Sequence, residues 1–246
     1  MNKKILVLVI VIILICVAAV LVFKFKNNGA VASNPGTNSQ DNEQYQYAAT
    51  LTVTPTTTEF SNKNMNVRCI IPKFTNLNTS VNNYINSKIE KDLIYTNVFD
   101  EVTAGLDSSS IGKFTYSVNY ERFNCFDFVS IVATQNIELE GSRSIVRKKC
   151  YVVDAKNDRT VNLKDVFANK SSYKSKVKSE VSKQAEEKGI ELTGGNDIFS
   201  IEDTQSFYIK NDKLHIYFEP SEVSAAANGE LDFEMPFKLN NGVFEF

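Results

Sequence analysis

The only histidine of the chain, His215, is the residue most easily assigned to acid–base or metal chemistry. It lies in an alternating run at positions 213–218, which predicts a strand with His215 on the opposite face from Leu214 and Ile216. A catalytic histidine would need a serine or cysteine nucleophile motif, and a zinc site would need three or four converging ligands. The sequence indicates neither, so we predict that His215 is structural.

Pairs of carboxylates are the second candidate, because glycoside hydrolysis uses two acidic side chains. Such pairs occur at four places: Asp100 with Glu101, Glu138 with Glu140, Glu186 with Glu187, and Glu202 with Asp203. On an acidic surface most carboxylates are simply solvated. We therefore predict no catalytic, cofactor-binding or metal-binding residue, and we expect that the protein is not an enzyme.

The cysteines beyond the apolar N-terminal run are Cys69, Cys125 and Cys150. An odd number at irregular spacing is neither a disulfide framework nor a metal-binding pattern. Cys125 and Cys150 flank a predicted hairpin, but symmetric pairing about its turn places Cys150 opposite about Val132, several residues from Cys125. Bridged cysteines need Cα atoms within about 7 Å. That bridge is disfavoured, and the sequence does not decide whether another pair forms.

Charge is distributed unevenly along the chain. All 29 acidic residues follow position 40, whereas four of the 27 basic residues lie at or before Lys26. The part beyond Lys26 therefore has 23 basic and 29 acidic residues and a net charge of −6. This balance argues against a nucleic-acid partner, which would require a basic patch. It favours solubility and could favour a cationic partner.

A run of 19 residues without a charge begins at Ile5 and ends at Phe23. As a helix it would be about 28 Å long, close to the ~30 Å hydrocarbon thickness of a bilayer. Residues 1–4 would form a cytoplasmic stub, because the lysines and terminal amine before the run stay inside. We predict a single-pass protein of the cell membrane. Residues 5–23 contact the lipid bilayer, the N-terminus is cytoplasmic and the C-terminal domain is extracytoplasmic.

A cleaved signal peptide is the alternative interpretation of this run. Signal-peptide apolar regions are usually about 7–15 residues long, and here lysines follow at once. The sequence Ala30-Val31-Ala32 offers a small-x-small cleavage site, so cleavage near Ala32 stays open. Residues 24–61 are rich in Asn, Thr, Gln, Ser and Gly, which predicts a flexible spacer with at most a short strand at 49–53.

Residues 62–246 predict an α+β module with mainly antiparallel sheet and two principal helices. The first helix, at 80–94, has N-cap candidates at 78–80 and places Val81, Tyr84, Ile85, Ile89 and Leu93 on one stripe. The second begins near 171–172, carries Tyr173, Val177, Val181 and Ala185 at i+4 spacing, and stops at Gly189. Strands are predicted at 65–71, 114–120, 126–139, 145–154, 160–163, 206–210, 213–218, 231–237 and 242–246, with a hairpin turn at Asn211-Asp212.

Several short stretches of this module look like a known family. They are MNVRCIIPKF at 65–74, VNNYIN at 81–86, YVVD at 151–154, VNLKDVF at 161–167, FYI at 207–209, IYFEP at 216–220, AAANG at 225–229 and FEMPF at 233–237. In this order they resemble paired domains of unknown function found in bacterial surface proteins. These include the ectodomain of the lysozyme-sensing anti-sigma factor RsiV and the non-catalytic part of the peptidoglycan deacetylase PdaC. The two halves would be residues 62–140 and 141–246.

The resemblance implies an extracytoplasmic binding module of the bacterial envelope, for a lysozyme-like protein or cell-wall glycan, without an anti-sigma or deacetylase domain of its own. The chain departs from the family pattern at positions 140–143, which read Glu-Gly-Ser-Arg instead of a histidine-containing turn, and at Ser221, where a tyrosine is common. Alternatives are a structural or assembly subunit of an envelope complex and, less favoured, a cell-wall hydrolase. The binding face and the oligomeric state are not assigned by the sequence.

Overall fold

The computed structural model describes residues 46–107, 111–142, 144–193 and 199–246. The predicted cytoplasmic stub, the predicted transmembrane helix at 5–23, the candidate cleavage site at Ala32 and the first part of the predicted spacer lie outside the described residues. Within the described ranges, no helix has the length and apolar character that crossing a membrane requires.

The described residues contain four α-helices and eleven strands. The helices are α1 Gln46–Thr50, α2 Thr79–Leu93, α3 Tyr95–Thr103 and α4 Tyr173–Glu187. The strands are β1 Val53–Ser61, β2 Met65–Phe74, β3 Phe114–Cys125, β4 Phe128–Leu139, β5 Ile145–Asp154, β6 Arg159–Thr160, β7 Phe207–Lys210, β8 Lys213–Phe218, β9 Leu231–Glu234, β10 Lys238–Asn240 and β11 Val243–Glu245. This confirms the predicted mixed α+β class, with more helix than the two principal helices expected.

A six-stranded sheet has its strands in chain order, from β1 to β6. Neighbouring strands are antiparallel except β2 and β3, which run parallel. A parallel pair requires a crossover connection, and here the crossover contains α2 and α3. The short α3 was not predicted. Val98 is its only buried residue, so its sequence shows little apolar periodicity.

The first core lies between this sheet and the two crossover helices. Helix α2 begins where predicted, with the Asn78 side chain accepting a hydrogen bond from Val81 N at 3.0 Å. Its buried residues are Ile85, Ile89 and Leu93. They pack with alternate residues of the sheet, including Val67, Tyr116, Ile131, Tyr151 and Val153. Because side chains alternate along a strand, these positions define the helix face of the sheet.

A second core lies on the other side of the sheet. Helix α4 contributes the four predicted residues, Tyr173, Val177, Val181 and Ala185, and ends near Gly189, whose φ is +65°. These pack with a three-stranded antiparallel sheet of β7, β8 and β9. The predicted turn at Asn211-Asp212 is confirmed, with φ of 51° and 60°. At the edge of this sheet, Ile209 N donates to Ser130 Oγ of β4 at 3.0 Å. Strand β7 therefore lies across the face of the six-stranded sheet that is opposite to α2 and α3.

The predicted spacer is wrong from residue 46 onward. Residues 46–50 form α1, and β1 pairs along the whole of β2, from Val53 opposite Phe74 to Ser61 opposite Asn66. The polar composition predicted a spacer because β1 is an edge strand, and most of its side chains are exposed and polar. Its threonines are β-branched and suit a strand.

The predicted boundary between residues 140 and 141 divides a sheet rather than two separate halves. Strand β5 pairs with β4 from Ile137 opposite Ile145 to Phe128 opposite Asp154. It contributes Val153 to the first core and Val152 to the second. The sheet therefore continues to β6, because its backbone hydrogen bonds extend across the predicted boundary.

Two predicted strands are shorter in the structure. The strand expected at 160–163 ends at Thr160, and Leu163–Val166 forms a 3₁₀ turn, closed by reciprocal hydrogen bonds of Asn162 and Asp165. The strand expected at 231–237 ends at Glu234. Pro236 follows two residues later, and a proline has no N–H to donate to a ladder.

Candidate functional site

A cleft of about 730 Å³ runs along the outer edge of β5. Strand β6 pairs with Val153 and Asp154, and no other strand among the described residues pairs with this edge. Helix α2 forms one wall, on the helix face of the sheet. The loop before β7 forms the other wall, on the opposite face, and includes Thr204, Gln205 and Ser206. The edge of β5 is the floor between them.

The wall formed by α2 presents a tyrosine and two lysines. Tyr84 is 61% exposed, although the sequence placed it on the apolar stripe with Ile85. Tyr84, Lys88 and Lys91 follow one another at i, i+4 and i+7, so they share a helix face beside the buried one. This spacing was present in the sequence, but only the fold shows that the face borders a cleft.

Three lysines and three carboxylates line the cleft: Lys88, Lys91, Lys149, Asp92, Asp203 and Glu219. Each carboxylate has a cationic partner. Lys88 binds Asp92 at 2.9 Å, Lys149 binds Glu219, and Asp203 lies 2.9 Å from Lys174 and accepts a hydrogen bond from Tyr173. Lys91 forms no ion pair with any carboxylate among the described residues. The cleft therefore has one ammonium group available to an anion.

The backbone of Cys150 is the open part of the floor. Lys148 N donates to the hydroxyl of Tyr217 at 2.8 Å, and Val152 O accepts from Val161 N at 3.0 Å. Both groups point away from β4. Because the direction of backbone groups alternates with period two, the N–H and C=O of Cys150 point the same way, between these two closed positions.

The Cys150 side chain is not activated for nucleophilic chemistry. Burial, the largest effect, raises the pKa of its thiol to about 12. A nucleophilic cysteine must be a thiolate, and this one stays protonated at neutral pH. The register places Cys150 opposite Val132, as predicted, and Cys69, Cys125 and Cys150 are all free thiols.

A hydrogen-bond network behind the cleft connects its α2 wall to the sheet. Arg147, on β5, donates to both carboxylate oxygens of Glu101 on α3 at 2.6 and 2.8 Å, and to Gln135 Oε1 at 2.8 Å. Gln135 Nε2 in turn donates to the Asp92 carbonyl at 3.0 Å. Arg147 also lies 3.8 Å from Glu219. The network thus connects α2, α3, the sheet and the segment after β8.

This network predicts an acid-sensitive contribution to stability. The hydrogen bond from Arg147 holds the pKa of Glu101 below its ordinary value of 4.5, and this outweighs the opposing effect of burial. A lowered folded-state pKa means that Glu101 stabilises the fold above about pH 4.5, and that this contribution is lost as the pH falls through the lowered pKa. In urea titrations, the free energy of unfolding should fall more steeply below pH 4.5 for the native chain than for Glu101→Gln. Parallel pH profiles would contradict this.

The candidate residues from the sequence, His215 and the four acidic pairs, lie apart from one another. His215 is on the polar face of the three-stranded sheet, with its ring stacked on Tyr208 at 4.5 Å and its Nδ1 3.0 Å from Asp232. The four acidic pairs lie on α3, at the end of β4, on α4 and before β7. Of these carboxylates, Asp203 lines the cleft. No group of three Cys, His, Asp or Glu side chains in the described part of the chain could hold a metal ion.

The fold defines the class of the protein: a mixed α+β protein with a six-stranded sheet between two cores. Residues 164–238, from the 3₁₀ turn before α4 to the first residue of β10, match the family described as "Protein of unknown function (DUF3298)". No curated protein matches the chain.

Two crystal structures of DUF3298-family proteins have a similar fold. The one from Bacteroides fragilis NCTC 9343 has a TM-score of 0.53 and 12% identity, over 76% of this chain and 90% of that chain. The one from Pseudomonas aeruginosa PAO1 has a TM-score of 0.53 and 8% identity, over 80% of this chain and 98% of that chain. At these identities the similarity is one of fold. The narrower resemblance to lysozyme sensors and a deacetylase stays a prediction.

Proposed function

We propose that this chain is a binding module of the bacterial envelope, and that the cleft along β5 binds cell-wall peptidoglycan. The observation that carries the proposal is that one wall of an open, polar cleft carries exposed Tyr84 and Lys91, which has no carboxylate partner within the described ranges. Its volume, about 730 Å³, is in the range of sites for small ligands, about 300–1,000 Å³.

The lining suits a ligand with sugars, amides and carboxylates. Hydroxyl and amide side chains on the walls include Ser87, Asn162, Gln205 and Ser206. A tyrosine offers an apolar ring with a polar tip, which suits a sugar whose faces are apolar and whose rim carries hydroxyls. An unpaired ammonium favours a carboxylate, which peptidoglycan carries and a neutral polysaccharide lacks.

The membrane anchor is part of the same proposal. Residues 5–23 would cross the bilayer once, with residues 1–4 in the cytoplasm and the described domain outside. This orientation would place the cleft in the compartment that contains the cell wall. We propose binding without catalysis, because the Cys150 thiol is protonated at neutral pH and the cleft carboxylates are held by cationic partners.

A cationic, lysozyme-like protein is the second candidate ligand. It is favoured by the net charge of −6 beyond Lys26, which would attract a basic partner over a distance. Such binding should weaken steeply with added salt, whereas a neutral or anionic glycan fragment should be much less affected.

Calorimetry on the full-length chain in detergent tests these proposals. Soluble peptidoglycan fragments should bind, and Tyr84→Ala and Lys91→Glu should each weaken binding by about tenfold or more. Lys63→Glu is the matched control, because Lys63 is an exposed lysine on the β1–β2 turn, and it should bind like the native chain. Binding of lysozyme but not of fragments would favour the second candidate. Binding of neither would favour a structural or assembly role.

A further inference from the structure

We propose that the cleft binds a short peptide of the ligand, whose backbone forms hydrogen bonds with the N–H and C=O of Cys150. This inference rests on the proposed function of the cleft and specifies it: the site would recognise the peptide stem of the wall polymer rather than its sugar chain. The geometry of the β5 edge carries the inference, and the side chains around it support it.

The free edge of β5 offers one donor and one acceptor on the same side. In an antiparallel ladder, two opposed residues exchange both backbone hydrogen bonds, N–H to C=O in each direction. The N–H and C=O of Cys150 point into the cleft as such a pair. A matching ligand needs a residue in extended conformation with an amide on each side. A single acetamido group of a sugar has its N–H and C=O on opposite sides and satisfies one of the two bonds.

The length of the free edge decides between a short peptide and a protein strand. On one side of Cys150 the hydroxyl of Tyr217 occupies Lys148 N, and on the other Val161 N occupies Val152 O. A protein segment adding a strand to a sheet uses several successive pairs. Between these closed positions only the pair of Cys150 is open, which fits a peptide of a few residues.

The walls complete the match to an anionic peptide. Helix α2 and the loop with Ser206 stand on opposite faces of the sheet, so a strand-like ligand lying on the edge would be flanked on both sides. Lys91 would pair with a carboxylate of the peptide, because it has no carboxylate partner among the described residues. Tyr84 would cover the outward side of the ligand.

The test compares ligands that differ only in the proposed contact. With the full-length chain in detergent, a soluble tetrapeptide of stem composition should bind, whereas chitin oligosaccharides, which have acetamido groups but no peptide, should bind at least tenfold more weakly. N-methylation of the peptide amide facing Cys150 O, scanned one amide at a time, should abolish one hydrogen bond and weaken binding about tenfold at one position.

Two substitutions of Cys150 separate the contribution of its backbone groups to binding from that of its thiol. Cys150→Ala keeps the N–H and C=O and removes only the thiol, which contacts Ser206, so it should weaken binding less than a change that removes the N–H. Cys150→Pro removes the N–H, which is not used by the β4 ladder, and should weaken binding about tenfold if it folds. The N-methyl series does not depend on that variant.

Equal binding of peptidoglycan fragments with and without peptide would overturn this inference and leave the proposed function standing. Binding of intact fragments without binding of the free tetrapeptide would also overturn it. Absence of binding to any peptidoglycan fragment would overturn both.

Discussion

A chain that begins at residue 62, the boundary predicted from the sequence, should be far less stable than one that begins at residue 46. The shorter chain lacks α1 and β1. In α1 and just after it, Ala48 and Leu51 are buried, at 0% and 4% exposure, and Phe60 of β1 packs against Tyr95. Arg122 also donates to the Ala48 carbonyl at 2.6 Å.

The expected loss is a large fraction of the stability of the domain. Burial of an apolar side chain contributes about 1.5–3 kcal/mol, so removing Leu51 and Phe60 with the rest of the segment should cost about 5 kcal/mol. Whole domains have a free energy of unfolding of about 5–15 kcal/mol. Removing β1 also leaves the edge of β2 unpaired, which favours aggregation.

Urea unfolding of the two chains, followed by circular dichroism, measures this loss. The chain 46–246 should be soluble and unfold cooperatively. The chain 62–246 should have a much lower midpoint or should aggregate on expression. Equal midpoints would mean that α1 and β1 contribute little to the fold.

The second large effect is expected for Glu101→Gln. The guanidinium of Arg147 is nearly buried, with 9% of its side chain exposed, and the substitution removes the carboxylate that it binds at two points. Leaving a buried charge without its partner costs about 3–5 kcal/mol. Because the Glu101 side chain is 56% exposed and Glu219 also lies 3.8 Å from Arg147, water and Glu219 can replace part of the interaction. We therefore expect Glu101→Gln to lower the free energy of unfolding by about 2–3 kcal/mol, which is at or just below the lower end of that range.

The control is the same substitution in an exposed ion pair of α4. Glu187 lies 3.9 Å from Lys183, and both side chains are more than 60% exposed. Glu187→Gln should change the free energy of unfolding by less than about 1 kcal/mol. Arg147→Met combined with Glu101→Gln should cost less than the sum of the single changes, since the double variant leaves no buried charge. Similar small losses for Glu101→Gln and Glu187→Gln would show that the Arg147 network is not important for stability.

Local sequence patterns were sufficient to predict most of the helices and strands. The i+4 spacing of Tyr173, Val177, Val181 and Ala185 predicted α4, and the turn residues Asn211 and Asp212 predicted the β7–β8 hairpin. These features depend on residues within one or two turns of chain, whose side-chain directions follow from helix and strand periodicity. The pairing of Cys150 with Val132 was also predictable, because a tight hairpin fixes its register.

The residues that build the cleft come from three separate parts of the chain and together span more than 100 positions. Tyr84 and Lys91 lie on α2, Cys150 on β5 and Ser206 before β7, and no local pattern connects them. Their proximity results from the parallel pairing of β2 with β3, which places α2 on one face, and from β7 crossing the other.

The sequence by itself determined that residues 62–246 contain alternating strands and two amphipathic helices, because hydrophobic periodicity encodes which side of each element is buried. It also predicted an apolar run at 5–23 long enough to cross a bilayer. Only the tertiary structure decided that β1 pairs with the edge of β2 and that the edge of β5 has no strand partner at Cys150 among the described residues. The physical reason is that strand pairing depends on which backbone groups meet across the sheet, and these groups are the same in every residue except proline.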